Sequence, residues 1–579
     1  MKVSFALLSI LFLVGCTIPT STYDSVTTTN DYIYYEPDSK DSLDEFHAEP
    51  DPTQVTSAGV DDYIQKMSLE QKIGQLLMIG VLESELTTQL KHRLARTKPG
   101  FLILFRRNIR TPLQTANLLH DIQNEAIRNS QLQMMVSVDQ EGGDVVRIPT
   151  KPPLPTAMAL GRSFDLESTY NIGKYIGEVL NVLGIHMNLA PVLDLSDPEK
   201  ISFIQTRSFG SNPATVAKIS NEFARGVQSS NVLSTAKHFP GLGHLKEDSH
   251  KEIVRNEVTR EEFFSSYLKP YAKLIKEKSI SAVMMTHLVY PNLDPSLKPA
   301  TFSSPIINIL KKNLNFKGLI ITDDVEMAGA LFYRTPEERA VQAFLAGNDV
   351  LMVAWNKNSQ LRAFRGLLNA YKSGQITDER LNNSLRKIVS LKLSMGLQNP
   401  VSKPRSDIIL SKLKDNALKE PINNVFEKIM NQELHRLGNK KSELNLKNVL
   451  VLSTDYSFYK KFKSTYRAPV QFMPITKKFS LRDRGALMNR SSLIVLNVAG
   501  PTGASLANNL PDSLKKKTLV LNSRFIGSIK NSESFFDVLQ ISMRHHDLGS
   551  YVGSYLDSHF QMKSNPERNL SSSGNSAEE

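Results

Sequence analysis

The chain has one cysteine, Cys16, and one tryptophan, Trp355, in 579 residues. A lone cysteine cannot close a disulfide within the chain or build a multi-cysteine metal site. No metal set is visible elsewhere. His238, His244 and His250 are evenly spaced, but across a Gly/Pro loop and among Lys and Asp, a context that argues against zinc. No Gly-rich phosphate loop follows the first apolar run, which argues against an open dinucleotide-binding sheet. No cofactor is therefore expected. Internal repeats are also missing. The apolar run at the start, from Phe5 to Val14, is too short to span a bilayer as a helix. Lysine and arginine are scattered rather than clustered, so the net charge of +12 carries no nucleic-acid footprint. No protein partner is implied. What remains is an ordinary globular composition, 40% hydrophobic and 22% charged, over a length that suggests two or three domains.

The N-terminus reads as an export signal. Lys2 precedes the apolar run, which ends in Leu13-Val14-Gly15-Cys16, a pattern that looks like a bacterial lipobox. This predicts a signal peptide over 1–15 and lipidation of Cys16, with an uncleaved anchor as the alternative. Thr17 follows where a retention signal would be Asp, which points to the outer membrane of the cell envelope. Residues 16–57 are rich in Ser, Thr, Asp, Glu and Pro and cannot build a core, so they are expected to form a flexible tether. The last residues, 564–579, have the same character and read as a disordered tail.

From Ser68 onward, apolar runs alternate with stretches of helical period. The runs are Gln75–Gly80, Phe101–Phe105, Met134–Asp139, His186–Leu193, Val232–Lys237, Ile280–Thr286, Leu319–Asp323 and Asp349–Val353. Helical candidates between them include Pro112–Ser130, Asp165–Leu183, Asn212–Gln228 and Arg260–Lys278. Alternation of this kind implies a parallel sheet covered by helices, and about eight units match a (β/α)8 TIM-type barrel over 58–398. Pro400–Pro404 reads as a linker, Asp415–Leu437 as a helix crossing the junction, and 399–563 as a second, smaller α/β domain. The fold class is thus α/β.

Polar residues sit where the apolar runs stop: Asp139, Lys237-His238, Thr286-His287 and Asp323. The carboxyl ends of barrel strands are where such folds carry their sites. The segment Lys237–His250 (KHFPGLGHLKEDSH) follows an apolar strand and is expected to be a loop, broken by Pro240, Gly241 and Gly243. It contains an Asp-x-His pair, in which the carboxylate can orient the imidazole for proton transfer.

That segment resembles the signature of the β-N-acetylglucosaminidase branch of the family 3 glycoside hydrolases. Ile321–Ala330 (ITDDVEMAGA), Val138–Gly143 (VDQEGG) and Asn188–Asp194 with Arg207–Gly210 are similar to further motifs of that branch, in the same order, over about Asp61–Leu397. The resemblance implies a retaining exo-β-N-acetylglucosaminidase acting on β-linked N-acetylglucosamine in peptidoglycan fragments or chitooligosaccharides. It implies Asp323 as nucleophile, with Asp324 as a supporting residue, and His250 as general acid/base with Asp248 as its partner. An imidazole of pKa about 6.5 can give and take a proton at neutral pH. Asp139, Arg147, Arg207, Lys237 and His238 are implied as substrate-binding residues. An arginine at a barrel rim is otherwise often a salt-bridge residue. His287 is expected to be structural, and Trp355 to be a packed aromatic rather than a stacking face. The chain departs from the pattern at Leu242, Asp144 and Gln205-Thr206, which concerns substrate contacts. A phosphorylase and a catalytically weak glycan-binding lipoprotein are the alternatives.

Overall fold

The computed structural model describes residues 56–559, apart from 131, 197–203, 244, 246–252, 415, 439–447, 467–468, 477–486, 499–500, 524–536, 542–544 and 546–547. Cys16 with the segment around it, the C-terminal tail, Asp248 and His250 lie outside the described residues.

Eight parallel strands follow one another: β1 (Leu77–Gly80), β2 (Phe101–Leu104), β3 (Met135–Val138), β4 (Met187–Asn188), β5 (Leu233–Phe239), β6 (Ala282–Met285), β7 (Leu319–Thr322) and β8 (Leu351–Val353). Each pairs with its neighbour in sequence, and β1 also pairs with β8. A parallel bridge between Ile321 and Val350 brings β7 against β8 and rounds the sheet into a barrel. Every residue of these strands is buried. Strands packed on both faces have no solvent side, so they read as continuous apolar runs instead of alternating ones.

The expected helices appear at Pro112–Ser130, Leu166–Val182 and Pro213–Gln228. Their starts are set by side-chain caps: Asp165 accepts from the Ser168 amide, and Asn212 from the amides of Ala214 and Thr215. The stretch expected at Arg260–Lys278 is helical through Lys276, with a π-turn at Phe263–Tyr267.

Three local readings need correction. The strand before the expected loop runs through Leu233–Phe239, so Lys237 and His238 stand on β5 rather than in the loop. There Lys237 pairs with Met284 and Phe239 with Met285, with a bulge at His238 between them. The long run His186–Leu193 forms only a two-residue strand, because Pro191 has no N–H to give to a ladder; pairing resumes at Val192 against Lys237. A helix at Ser406–Lys414, not expected from the sequence, follows the irregular stretch 400–405.

A second parallel sheet has the order β10-β9-β11-β12-β13, from β9 (Val449–Ser453), β10 (Val470–Pro474), β11 (Leu493–Val498), β12 (Thr518–Asn522) and β13 (Asp537–Gln540). The sequence shows the three inner strands and misses β10 and β13, the edges, whose residues are less uniformly apolar. Alternation splits the inner strands between two cores. Val449, Val451, Leu493 and Val495 join the core shared with the barrel, while Leu450, Leu452, Ile494 and Leu496 face the other side. Helix Lys419–Gly438 lies between, burying Ile422, Val425, Phe426, Ile429 and Met430 in the shared core. Glu433 pairs with Arg162, and Lys428 pairs with Asp165 at 2.9 Å, tying this helix to the barrel.

Candidate active site

A cavity of about 510 Å³ opens at the carboxyl ends of the barrel strands. Asp139, Arg147, Arg207, Lys237, His238 and Asp323 all line it, so the residues singled out in the sequence and described here converge on one site.

One wall is a chain of alternating charges. Lys237 Nζ lies 2.7 Å from Asp139 Oδ1 and 2.7 Å from Glu141 Oε1. Arg207 grips Glu141 with two parallel bonds of 2.8 Å, and Arg147 reaches Asp139 at 3.4 Å. Three cations share two carboxylates. Burial alone would raise the Glu141 carboxyl, but Arg207 and Lys237 outweigh it and hold the group well below the usual carboxylate range. Burial would also lower the Lys237 ammonium, yet Asp139 and Glu141 leave it raised. Glu141 and Lys237 therefore stay charged at neutral pH. A buried ion cluster of this kind is a weak source of stability, since each ion sheds its water. What it does supply is fixed donors and acceptors at the cavity wall, with Lys237 and Glu141 buried and Arg147, Arg207 and Asp139 the more exposed arms. Arg207 is thus both a salt-bridge residue and a cavity-lining one.

His238 is oriented from behind. Its Nδ1 lies 2.7 Å from Asp194 Oδ2, while Asp194 Oδ1 accepts from the Leu242 amide at 2.7 Å. That bond occupies Nδ1 and leaves Nε2 without a partner among the described residues. Leu242, where the pattern has His, contributes its backbone here and its apolar side chain to the cavity lining.

Asp323 follows the last residue of β7, and its backbone N–H donates to Met285 O at 3.0 Å. Its Oδ1 accepts from the Asp324 amide at 2.7 Å. Asp324 points its Oδ1 at the amides of Glu326 and Ala354, at 3.1 and 3.2 Å. Its carbonyl lies 2.9 Å from His287 Nε2, and His287 Nδ1 lies 2.8 Å from the Thr301 hydroxyl. His287 is buried in this frame, as expected of a structural residue.

Sequence reasoning left Glu141 and Asp194 without a role. Glu141 had a usable signal: it stands two residues after Asp139, the spacing that puts both side chains on one side of an extended backbone. Asp194 had none, because its partner is 44 residues away. Two of the departures from the motif meet each other, since the Thr206 hydroxyl donates to Asp144 Oδ2 at 2.8 Å. The reading of Trp355 as a packed aromatic is overturned: it is 53% exposed and lines the cavity. It follows β8, at the end of the barrel where the cavity opens. Among the described residues no cluster of three or more His, Cys, Asp and Glu is arranged to hold a metal ion, and no helix is long and apolar enough to cross a membrane.

Residues 68–391 match the glycosyl hydrolase family 3 N-terminal domain. A beta-hexosaminidase A of Pseudoalteromonas piscicida is 29% identical over 59% of this chain and 64% of its own length, so the match spans less than two thirds of that relative. A beta-hexosaminidase of Idiomarina loihiensis is 32% identical over 48% of this chain and 83% of its own. Among solved structures, a glycoside hydrolase family 3 beta-N-acetylglucosaminidase from Paenibacillus sp. FPU-7 superposes with a TM-score of 0.71 at 27% identity, covering 85% of this chain and 97% of that one.

Proposed function

The chain belongs to glycosyl hydrolase family 3 and is therefore a glycoside hydrolase, and from that premise we propose that it is a retaining exo-β-N-acetylglucosaminidase. The observation that carries this reading is the placement of Asp323 in the same cavity as the Asp139–Lys237–Glu141–Arg207 network, in a chain whose relatives bear the name beta-hexosaminidase. The network and His238 offer charged donors and acceptors suited to the hydroxyls of a terminal sugar. Asp323 attacks the anomeric carbon and forms a glycosyl ester. His250, polarised by Asp248, protonates the departing glycosidic oxygen and then takes a proton from the water that cleaves the ester. No metal or cofactor is needed for either step.

The substrates proposed are β-linked N-acetylglucosamine glycans, peptidoglycan fragments or chitooligosaccharides. The net charge of +12 suits an anionic polymer. Lipidation at Cys16 would hold the enzyme at the bacterial outer membrane. The motif around Cys16 is the support for this, and unchanged labelling by palmitate in Cys16→Ser would remove it.

A fluorinated N-acetylglucosamine donor that stalls the second step should leave a covalent sugar on Asp323, located by peptide mass spectrometry. An adduct on Asp324, or turnover with no adduct, would overturn the assignment. The same assay run with and without phosphate separates free sugar from sugar phosphate. Phosphate-dependent release of the latter would make the enzyme a phosphorylase.

A further inference from the structure

The wall made by Trp355 has no part in the chemistry above. Its ring lies 4.8 Å from that of Phe105, tilted by 35°. The Arg107 guanidinium wedges against both, 4.1 Å from the Trp355 ring centre and 4.4 Å from that of Phe105. Arg107 is itself anchored, Nε donating to Val81 O at 2.9 Å and Nη2 to Ala354 O at 3.4 Å. The Trp355 backbone is pinned too: its N–H donates to Glu326 Oε2 at 2.8 Å, and the Asn356 amide uses the same oxygen at 3.0 Å. Glu326 belongs to the loop that begins at Asp323, so the indole is held in a fixed relation to that carboxylate. One side of the ring is packed on Phe105 and Arg107; about half of its surface remains open beside the cavity.

Position around the barrel says what the open half meets. The charged network stands over β3 and β5, and β4 between them lies opposite β8 in the ring of eight. Asp323 follows β7, while Trp355 and Phe105 follow β8 and β2. A β-linked glycan leaves its ring equatorially and is nearly straight. With its terminal sugar against the network and its anomeric carbon at Asp323, the next ring passes the β8–β2 arc. A pyranose has an apolar face of C–H groups, the surface that a rigid, partly exposed aromatic ring takes up.

We propose that Trp355, backed by Phe105 and Arg107, is the platform for the sugar on the leaving-group side of the scissile bond, so that the enzyme selects substrates whose aglycone is itself a pyranose. This rests on the glycosidase reading above and adds the second sugar to it.

The test compares kcat/KM of wild type, Trp355→Ala and Trp355→Phe on N,N′-diacetylchitobiose and on β-N-acetylglucosaminyl azide, whose leaving group is too small to reach the platform. Trp355→Ala should lose on the order of ten-fold on the disaccharide and stay within about two-fold of wild type on the azide, with Trp355→Phe between. Retained azide hydrolysis also shows that the variant is folded. Equal losses on both substrates, or no loss on the disaccharide, would overturn the platform while leaving the glycosidase reading intact. A wild type that cleaves neither substrate would overturn that reading and this one with it.

Discussion

Asp324 accepts two amide bonds through Oδ1, while its Oδ2 is buried with no hydrogen-bond partner. Burial pushes its carboxyl up to about 7, helped by the nearby charges of Glu326 and Asp323 and opposed by the two amides. A neutral, buried acid is a poor nucleophile, which favours its neighbour. The consequence for stability has a definite sign. Between the ordinary carboxyl pKa of 3.8 and about 7, the unfolded chain has lost a proton that the native chain keeps. Stability from this group is therefore full below that window and falls as pH rises through it, by on the order of a few kcal/mol. Asp324→Asn cannot ionise, so its melting temperature should gain on that of wild type between pH 4 and pH 8. Parallel pH dependences of the two would show that Asp324 is charged in the folded protein.

Gly80 closes β1, and a Cβ there would stand 2.1 Å from the Ala354 carbonyl oxygen. That oxygen belongs to the segment leaving β8, which also carries Trp355 and gives the Ala354 amide to Asp324. The barrel needs the missing side chain for β1 and β8 to approach, since Gln360 spans the same seam with bonds to Gly80 O at 2.9 Å and Val353 O at 3.1 Å. Gly80→Ala should cost about 1–3 kcal/mol in denaturant unfolding, the usual range for overpacking, and should weaken disaccharide turnover more than its stability loss accounts for. A variant as stable and active as wild type would show that the seam yields freely. Nothing in the run Leu77–Gly80 marks this glycine as special; the contact that makes it so comes from a strand at the other end of the barrel.

Beneath the barrel, at the end away from the cavity, Lys392 is fully buried with its Nζ 2.7 Å from Gln75 Oε1 and 3.0 Å from Gln133 O. No carboxylate pairs with it among the described residues, and burial lowers its ammonium to about 7. Below that pH both folded and unfolded chains hold the proton and the cost of burying the charge is at its full value. As pH rises from about 7 toward the ordinary 10.5, the folded chain has released a proton that the unfolded chain still holds, so global stability should climb. His186, lowered to about 4 by burial and by Lys392, gives the same sign at lower pH. Whatever its absolute stability, Lys392→Met should lack the alkaline rise in melting temperature. If the rise persists in that variant, another group produces it.

The barrel and the inner strands of the second sheet were legible because strands buried on both faces must be apolar throughout, and helices between them must be amphipathic and capped. The site was legible as far as its residues stand at the ends of those runs: Asp139 after β3, Lys237 and His238 near the end of β5, Asp323 after β7. What those residues do to one another was not. Lys237 meets Asp139 across 98 positions, Arg207 meets Glu141 across 66, and Trp355 meets Phe105 from the next strand but one. The pattern along the chain determined which residues would reach the rim. Which of them share charges, which stay neutral and which aromatic is left open beside the cavity were decided by closure of the ring, because a contact between distant segments has no local composition to announce it.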